Sequence, residues 1–204
     1  DAPQGLSCSL LRIGVVALRA AAASLLGEPG LLLGAAAAEA PRVWQALRSA
    51  GAAPIGAEAI NILRLEAGIP WVGPDMGEET LLMEVGLERA ISFKKGCYLG
   101  QEVVERIAAR GHVNRKLVGL RASAPLPAGT RLLAGSAPSG GEREVGSVTS
   151  MATSPSVGAA VGLGYVRREH LEVGTALKTP EGADVTVAAL PFVENDNRAT
   201  RGRM

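Results

Sequence analysis

Cysteine and histidine are scarce in this sequence, and their scarcity excludes several kinds of site. The 204 residues include only two cysteines and two histidines. Cys8 and Cys97 lie far apart, so the sequence offers neither a disulfide framework nor the close ligand spacing of a zinc site, and we predict no bound metal. A chain with so little cysteine suits a reducing compartment, from which we predict a cytoplasmic protein.

Aromatic residues, net charge and long apolar runs are limited as well. Phe, Trp and Tyr make up 3% of the chain, and the formal net charge is +1. A protein without a basic surface overall, and with few rings on which bases could stack, is not expected to bind nucleic acid. The apolar run over residues 13–26 is interrupted by Arg19 and is too short to span a membrane, so we predict no membrane partner.

Apolar residues, by contrast, are plentiful at 47% of the chain. That is enough for a packed core in one large domain or two small ones. The sequence begins at Asp1 without the pattern of a signal peptide. We interpret it as a chain that lacks the N-terminal part of a longer protein.

The first half of the chain predicts a mixture of helices and short strands. Residues 9–18 fit either a pair of strands or a short helix, and residues 31–33 form a short apolar strand. Helical periodicity and flanking glycines predict helices over residues 39–50 and 57–67, ended by Gly51 and Gly68. A loop follows over residues 69–80. Short extended pieces are expected over residues 81–87 and 90–93.

The second half predicts an antiparallel barrel or sandwich. Short apolar segments recur at regular spacing, with Gly- and Pro-rich turns between them, which is typical of small all-β domains. The predicted strands cover residues 117–120, 130–133, 145–149, 161–166, 175–178 and 184–187. We therefore expect an α+β domain over residues 1–112, a β-barrel domain over residues 113–193, and a disordered tail over residues 194–204.

Between the two halves lies the segment with the clearest chemical potential, Lys94-Lys95-Gly96-Cys97-Tyr98-Leu99-Gly100-Gln101-Glu102. A helical pattern begins at Tyr98, with an apolar stripe formed by Leu99, Val103, Val104 and Ile107, and Gly111 ends it. Cys97 would then lie at a helix N-terminus beside two lysines, conditions that lower a thiol pKa from about 8.5 towards neutrality. The alternative is a buried structural cysteine.

Residues 95–102 of this segment resemble the K-G-C-Y-x-G-Q-E signature of the YgfZ-type folate-binding proteins. These are relatives of the glycine-cleavage T-protein, an aminomethyltransferase; some are iron–sulfur cluster assembly factors, and others are described as tRNA-modifying. Further similarities are Gly27-Glu28-Pro29-Gly30, which resembles the T-protein G-E-x-G, and residues 64–68, which match R-L-E-A-G. The resemblance covers roughly residues 27–192.

This resemblance implies the T-protein fold, with an N-terminally truncated folate-binding α/β region followed by a C-terminal antiparallel β-barrel. It also implies tetrahydrofolate as the cofactor. Glu28 would hold the pterin ring, because a carboxylate accepts two hydrogen bonds from neighbouring N–H groups. Arg64 and Trp71 would line the pocket, and Cys97 would be the reactive thiolate. The supporting motif residues would be Lys95, Gly96, Tyr98, Gly100, Gln101 and Glu102.

Each of these residues has a simpler interpretation. Glu28 could be an exposed turn residue, and Trp71 could belong to the core. Arg64 could lie on a helix surface or pair with Glu66 or Asp75. Gln101 and Glu102 could be favoured in a first helical turn by the helix dipole alone. It is their joint order and spacing that supports the functional interpretation.

Two departures from the T-protein pattern bear on function. Cys97-Tyr98 stands where the T-protein usually has an acidic residue and an aromatic. The T-protein aspartate that acts near the folate amine lies in the N-terminal part of those proteins, which this sequence is interpreted to lack. Both favour a folate-binding accessory protein in iron–sulfur cluster assembly or repair, with assembly proteins or client iron–sulfur enzymes as partners. The alternatives are a folate-dependent aminomethyltransferase and a binding module without chemistry.

Overall fold

A computed structural model describes residues 8–136 and 142–194 of the chain. Within these ranges the chain divides into two compact units, residues 8–64 and residues 65–194. The predicted disordered tail lies outside the described residues, apart from Glu194. The predicted domain boundary between residues 112 and 113 stays a prediction.

The first unit begins with a three-stranded antiparallel sheet in the order β1-β2-β3. Its strands are β1 (Cys8–Ile13), β2 (Val16–Ala23) and β3 (Gly30–Gly34). Of the two structures that the sequence left open for residues 9–18, the strand pair is therefore the one observed. Gly14 lies in the intervening turn with φ +59°, a left-handed conformation that glycine adopts without steric cost.

The core of this unit lies between the sheet and the helix that follows it. Burial alternates along β2, with Val16, Leu18 and Ala20 buried and the residues between them exposed. This period of two places one face of the strand against Val43 of α1 (Ala40–Ser49). Pro41 lies in the first turn of α1, as predicted, where its missing N–H breaks no helical hydrogen bond.

Helix α2 (Ala57–Glu66) ends as the sequence predicts, whereas part of the segment after it differs from the prediction. Gly68 follows α2 with φ +68°. The short extended piece predicted over residues 81–87 is wrong, because Leu82–Val85 forms helix α3. Gly86 closes this helix in the left-handed conformation, φ +78°, and its N–H donates to the Leu82 carbonyl. The extended piece predicted over residues 90–93 begins one residue later, because Ala90 belongs to a 3-10 turn over Glu88–Ala90 and Ile91 is the first extended residue.

The second unit contains a closed six-stranded antiparallel barrel in the order β4-β7-β6-β5-β8-β9. Every strand predicted in the second half of the sequence is present, and closure through the β4–β9 pair selects the barrel over the sandwich. The strands are β4 (Arg115–Ala122), β5 (Arg131–Ser136), β6 (Glu142–Ser154), β7 (Ala159–Arg167), β8 (Ala176–Lys178) and β9 (Asp184–Ala188).

The barrel interior is apolar and closely packed. Its fully buried side chains each contribute about 1.5–3 kcal/mol of burial free energy. They are Leu120, Leu132, Val145, Val148, Val166, Leu177, Val185 and Val187. Glycines allow neighbouring strands to approach: a Cβ placed on Gly119 would lie 2.8 Å from the carbonyl oxygen of Ala188 and 2.9 Å from Leu190 Cδ2.

Candidate functional site

The cysteine segment is a solvent-exposed loop that precedes helix α4 (Gln101–Arg110). Gly100, with φ +83°, precedes the first helical residue, so the prediction that the helix starts at Tyr98 is wrong by three residues. Leu99 is fully exposed and does not belong to the apolar stripe. Cys97 is an exposed free thiol, and so the alternative of a buried structural cysteine does not hold. Gly111 ends α4 as predicted, with φ +75°.

The motif side chains around Cys97 contact one another or the next turn of helix α4. The ammonium of Lys95 lies 4.9 Å from the centre of the Tyr98 ring, a cation–π distance. Gln101 Nε2 donates to Glu105 Oε1 at 2.6 Å, and Arg106 pairs with Glu102 at 2.7 Å. These i,i+4 pairs are ordinary helix-surface contacts, which supports the simpler interpretation of Gln101 and Glu102. The Tyr98 hydroxyl is buried and has no hydrogen-bond partner in the described part of the chain.

Glu28 lies in the bend between β2 and β3, on the surface of the first unit. It lines a cleft of about 210 Å³ whose other walls are aliphatic or backbone, formed by Ala23, Leu25, Leu26, Pro29, Gly30, Leu31 and Leu32. Ligand pockets usually measure about 300–1,000 Å³. The cleft is therefore the size of one ring system rather than of a whole folate. Its single carboxylate on apolar walls suits a flat ring with N–H donors on its edge.

Arg64 and Trp71 are more buried than Glu28. Arg64 is 1% exposed, and its Nε donates to Asn61 Oδ1 at 2.9 Å, so it is not the helix-surface residue that one interpretation expected. Trp71 is half-buried. Its backbone N–H donates to Asp75 Oδ2 at 3.0 Å, and its carbonyl accepts from the Asp75 N–H at 3.0 Å. Their roles in folate binding stay predictions.

Asp75 is the centre of a polar cluster that sequence reasoning missed. Its carboxylate is 2% exposed, and Oδ1 accepts hydrogen bonds from the hydroxyls of Thr149 and Ser150, both at 2.5 Å. The Tyr165 hydroxyl donates to the Asp75 carbonyl at 2.9 Å. These bonds hold the loop over residues 69–80 on strands β6 and β7. Thr149 and Ser150 are two of several polar residues in β6, so the sequence carries no distinct signal for this cluster.

Tyr165 is also covered from its other side by charged groups. The Arg115 guanidinium lies 4.6 Å from the ring centre, and Arg115 Nε donates to Glu84 Oε2 at 3.1 Å. Burial raises the pKa of Tyr165 above its ordinary value of 10.0, and a hydrogen bond with Thr80 and the charge of Arg115 act in the opposite direction. Glu84 is 8% exposed. Its pairing with Arg115 therefore offsets the free-energy cost of burying a charged carboxylate.

Glu66, the acidic residue of the R-L-E-A-G match, also has a structural role. Glu66 is 6% exposed, and its Oε1 accepts from the Ser154 hydroxyl at 2.6 Å. Its carbonyl accepts from the N–H groups of Phe192 and Val193 at 2.8 and 3.3 Å. Glu66 thus ties the end of α2 to β6 and to the segment after β9.

The predicted site residues are divided between the two units, with Glu28 and Arg64 in the first and Trp71 and Cys97 in the second. Among the described residues no group of three or more His, Cys, Asp or Glu side chains could hold a metal ion. No helix in the described ranges has the length and apolar character needed to cross a membrane. The cytoplasmic location stays a prediction.

Two family descriptions match consecutive parts of the chain. The GCVT N-terminal domain matches residues 4–95. The glycine cleavage T-protein C-terminal barrel domain matches residues 115–194, the part that forms the closed barrel.

Similar proteins agree with these matches. The aminomethyltransferase of Saccharopolyspora erythraea is 39% identical over 177 residues, which cover 81% of this chain and 46% of that protein. That of Streptomyces avermitilis is 37% identical over 182 residues, covering 81% of this chain and 46% of the relative. The chain therefore spans about half the length of the curated relatives it matches.

A solved structure extends the comparison to three dimensions. The crystal structure of the glycine cleavage system aminomethyltransferase T from Bartonella henselae matches with a TM-score of 0.76 at 26% identity. The match covers 87% of this chain and 50% of that chain. The expected fold, a T-protein-like α/β region followed by an antiparallel barrel, is confirmed, whereas the YgfZ-type assignment stays a prediction. The chain belongs to the glycine-cleavage T-protein superfamily.

Proposed function

We propose that this protein binds tetrahydrofolate and acts as an aminomethyltransferase of the glycine-cleavage type. The observation that carries the proposal is the match of both its parts, in order, to T-protein domains, together with 37–39% identity to proteins named aminomethyltransferase. The sequence alone favoured the iron–sulfur accessory function and gave the aminomethyltransferase as an alternative, so the preference is now reversed. The similarities favour the transferase over the iron–sulfur accessory protein.

The cleft beside Glu28 supports the folate part of the proposal. A pterin presents an amino group and a ring N–H on one edge, and an exposed carboxylate can accept from both. The aliphatic walls formed by Leu25, Leu26 and Leu31 would contact the faces of the ring. In the reaction, bound tetrahydrofolate supplies the amine that receives the one-carbon unit. The contribution of Glu28 is to bind the ring and fix its orientation.

A binding measurement tests this proposal. Tetrahydrofolate is titrated into the 204-residue chain, with protein fluorescence or calorimetry as the readout. We expect saturable binding by the wild-type chain. Glu28→Gln should weaken this binding about tenfold, because a hydrogen bond from the pterin to a charged carboxylate is replaced by a weaker one to a neutral amide. The matched control is Glu58→Gln, an exposed glutamate on α2 away from the cleft. Absence of binding, or equal binding by both variants, would contradict the proposal.

The iron–sulfur accessory function is the second candidate, and the exposure of the Cys97 thiol favours it. Thiolates are the usual ligands of iron–sulfur clusters, and an exposed thiol can reach a partner. Cys97→Ser separates the two functions. The transferase predicts unchanged release of ammonia from an aminomethyl-loaded carrier protein in the presence of tetrahydrofolate. The accessory function predicts loss of client iron–sulfur enzyme activity in cells that carry this variant.

A further inference from the structure

We propose that the outer face of the barrel binds a small anion with a phosphate or carboxylate group, between Arg115 at the start of β4 and Arg167 at the end of β7. The proposal goes beyond folate binding, because none of its residues belongs to the predicted folate set.

The first observation is a pair of like charges directly opposite each other. Arg115 and Arg167 are register partners in the antiparallel β4–β7 pair. Side chains in such positions lie on the same face of the sheet, with their Cβ atoms about 4.5–5.5 Å apart, and like charges there destabilise the pair. An anion bound between the two guanidiniums would relieve this repulsion.

Only one of the two arginines is neutralised by the protein. Arg115 uses Nε to bind Glu84 and lies over the Tyr165 ring, which fixes the plane of its guanidinium. Its terminal nitrogens make no hydrogen bond to any described residue. Arg167 is exposed and has neither an ion pair nor a side-chain hydrogen bond within residues 8–136 and 142–194. Both therefore present guanidinium donors, whose planar geometry fits carboxylate and phosphate oxygens.

The second observation is a cleft at the same place. It has a volume of about 420 Å³, within the usual range for small-molecule sites. Its lining consists of Arg115, Glu144, Val145, Gly146, Ser147, Tyr165 and Arg167. Ser147 is the register partner of Tyr165, and its hydroxyl has no hydrogen bond to the described residues, so it can donate to an anion.

One group in the cleft opposes anion binding. Glu144 lines the same cleft, and its Oε2 lies 3.8 Å from Arg131 Nη1. Both side chains are more than half exposed, so the pair is weak and does not neutralise the carboxylate fully. The proposal therefore predicts opposite effects for the two kinds of charge: removing a cleft cation weakens binding, and removing Glu144 strengthens it.

Calorimetric titration of the 204-residue chain tests this site. Inorganic phosphate and tricarballylate are titrated separately, at constant ionic strength in a buffer without other polyvalent anions. We expect one saturable site for at least one probe. Arg167→Gln should weaken it about tenfold or more, and Glu144→Gln should strengthen it about fivefold. Arg121→Gln, on the exposed face of the same strand β4 but outside the cleft, is the matched control and should leave the affinity unchanged.

The two probes identify the ligand chemistry. Tighter binding of phosphate supports a phosphorylated ligand, and tighter binding of tricarballylate supports a carboxylate. Arg167 is exposed, so Arg167→Gln is expected to fold, and its melting temperature without the probe checks this. Failure of both probes to saturate a site would overturn the proposal, as would an equal loss of affinity in Arg121→Gln and Arg167→Gln. Neither result would contradict the proposal that Glu28 binds tetrahydrofolate, because the two sites share no residue.

Discussion

At the scale of the residue, the carboxylate of Asp75 connects a loop to a barrel wall. A buried carboxylate is costly unless donors surround it, and here two hydroxyls and a backbone N–H donate to it. The donors Thr149 and Ser150 are 74 and 75 positions away in sequence. The loop over residues 69–80 is therefore predictable from its Gly, Pro and Asp content, whereas nothing local in the sequence pairs Asp75 with these donors.

Asp75→Asn should lower the free energy of unfolding by about 2–3 kcal/mol, because hydrogen bonds to a charged acceptor are lost and an amide N–H₂ faces hydroxyl donors. Urea unfolding measures the change. The control is Asp184→Asn, which alters an exposed carboxylate 4.0 Å from Lys178 and should change stability by less than about 0.5 kcal/mol. Equal effects of the two variants would contradict the role assigned to Asp75.

The two tyrosines of the chain should respond differently to removal of their hydroxyls. Tyr165→Phe breaks the hydrogen bond to the Asp75 carbonyl and should cost about 1 kcal/mol. Tyr98→Phe removes a buried hydroxyl that has no partner among the described residues, so it should be neutral or slightly stabilising. Thermal unfolding at pH 7 compares the two variants, and a larger loss in Tyr98→Phe would refute the hydrogen-bond assignment.

Alkaline pH provides a separate prediction for Tyr165. Burial raises its pKa above 10.0, so the folded protein holds this proton more tightly than the unfolded chain. The associated stability is present in full below pH 10.0 and is lost as the pH rises through the folded pKa. As the pH rises above 10.0, wild-type stability should therefore fall more steeply than that of Tyr165→Phe. Parallel curves in urea unfolding would show that Tyr165 does not titrate in this way.

At the scale of the element, the barrel strands were predictable and helix α3 was not. Each strand combines apolar residues with Gly- or Pro-rich turns, signals that lie within the strand and its flanks. Helix α3 has only four residues, and its burial depends on Glu84 meeting Arg115, 31 positions further along the chain. Helix α4 began later than predicted, because apolar periodicity continues through Leu99 although that side chain faces solvent.

The close approach of strands at Gly119 can be tested directly. Gly119→Ala should destabilise the protein by about 1–3 kcal/mol, because the new methyl group would overlap the Ala188 carbonyl and the Leu190 side chain. Gly77→Ala serves as the control, since a Cβ at Gly77 meets no atom within 4 Å. That variant should be neutral or slightly stabilising. Chemical denaturation that shows no difference between the two would exclude close packing at Gly119.

At the scale of the whole molecule, the two units differ in how much core they contain. The barrel cluster holds eight fully buried side chains, and every strand is paired on both sides. The cluster of the first unit holds four, and its three-stranded sheet has two edges. Local stability generally follows buried apolar contact and strand pairing. We therefore expect the barrel to be the more stable unit.

Hydrogen exchange measured by mass spectrometry checks this expectation. Peptides from β4 and β7 should exchange at least about tenfold more slowly than peptides from β1 and β2, because their amides open only with the barrel. Both sets come from the same sample, so solvent conditions are matched. Similar protection across both sets would indicate that the two units unfold as one.

The pairing of β4 with β9 also determines where the chain enters and leaves the barrel. The first and last strands of the barrel are neighbours, with Gly119 opposite Ala188, and they run antiparallel. The polypeptide therefore enters the barrel at Arg115 and leaves it after Ala188 at the same end of two adjacent strands. The barrel nevertheless does not stand apart from the segment before it, because Glu66, Asp75 and Glu84 bond to Ser154, Thr149 and Arg115. A chain cut just before Arg115 would therefore leave the barrel with polar groups that have lost their partners.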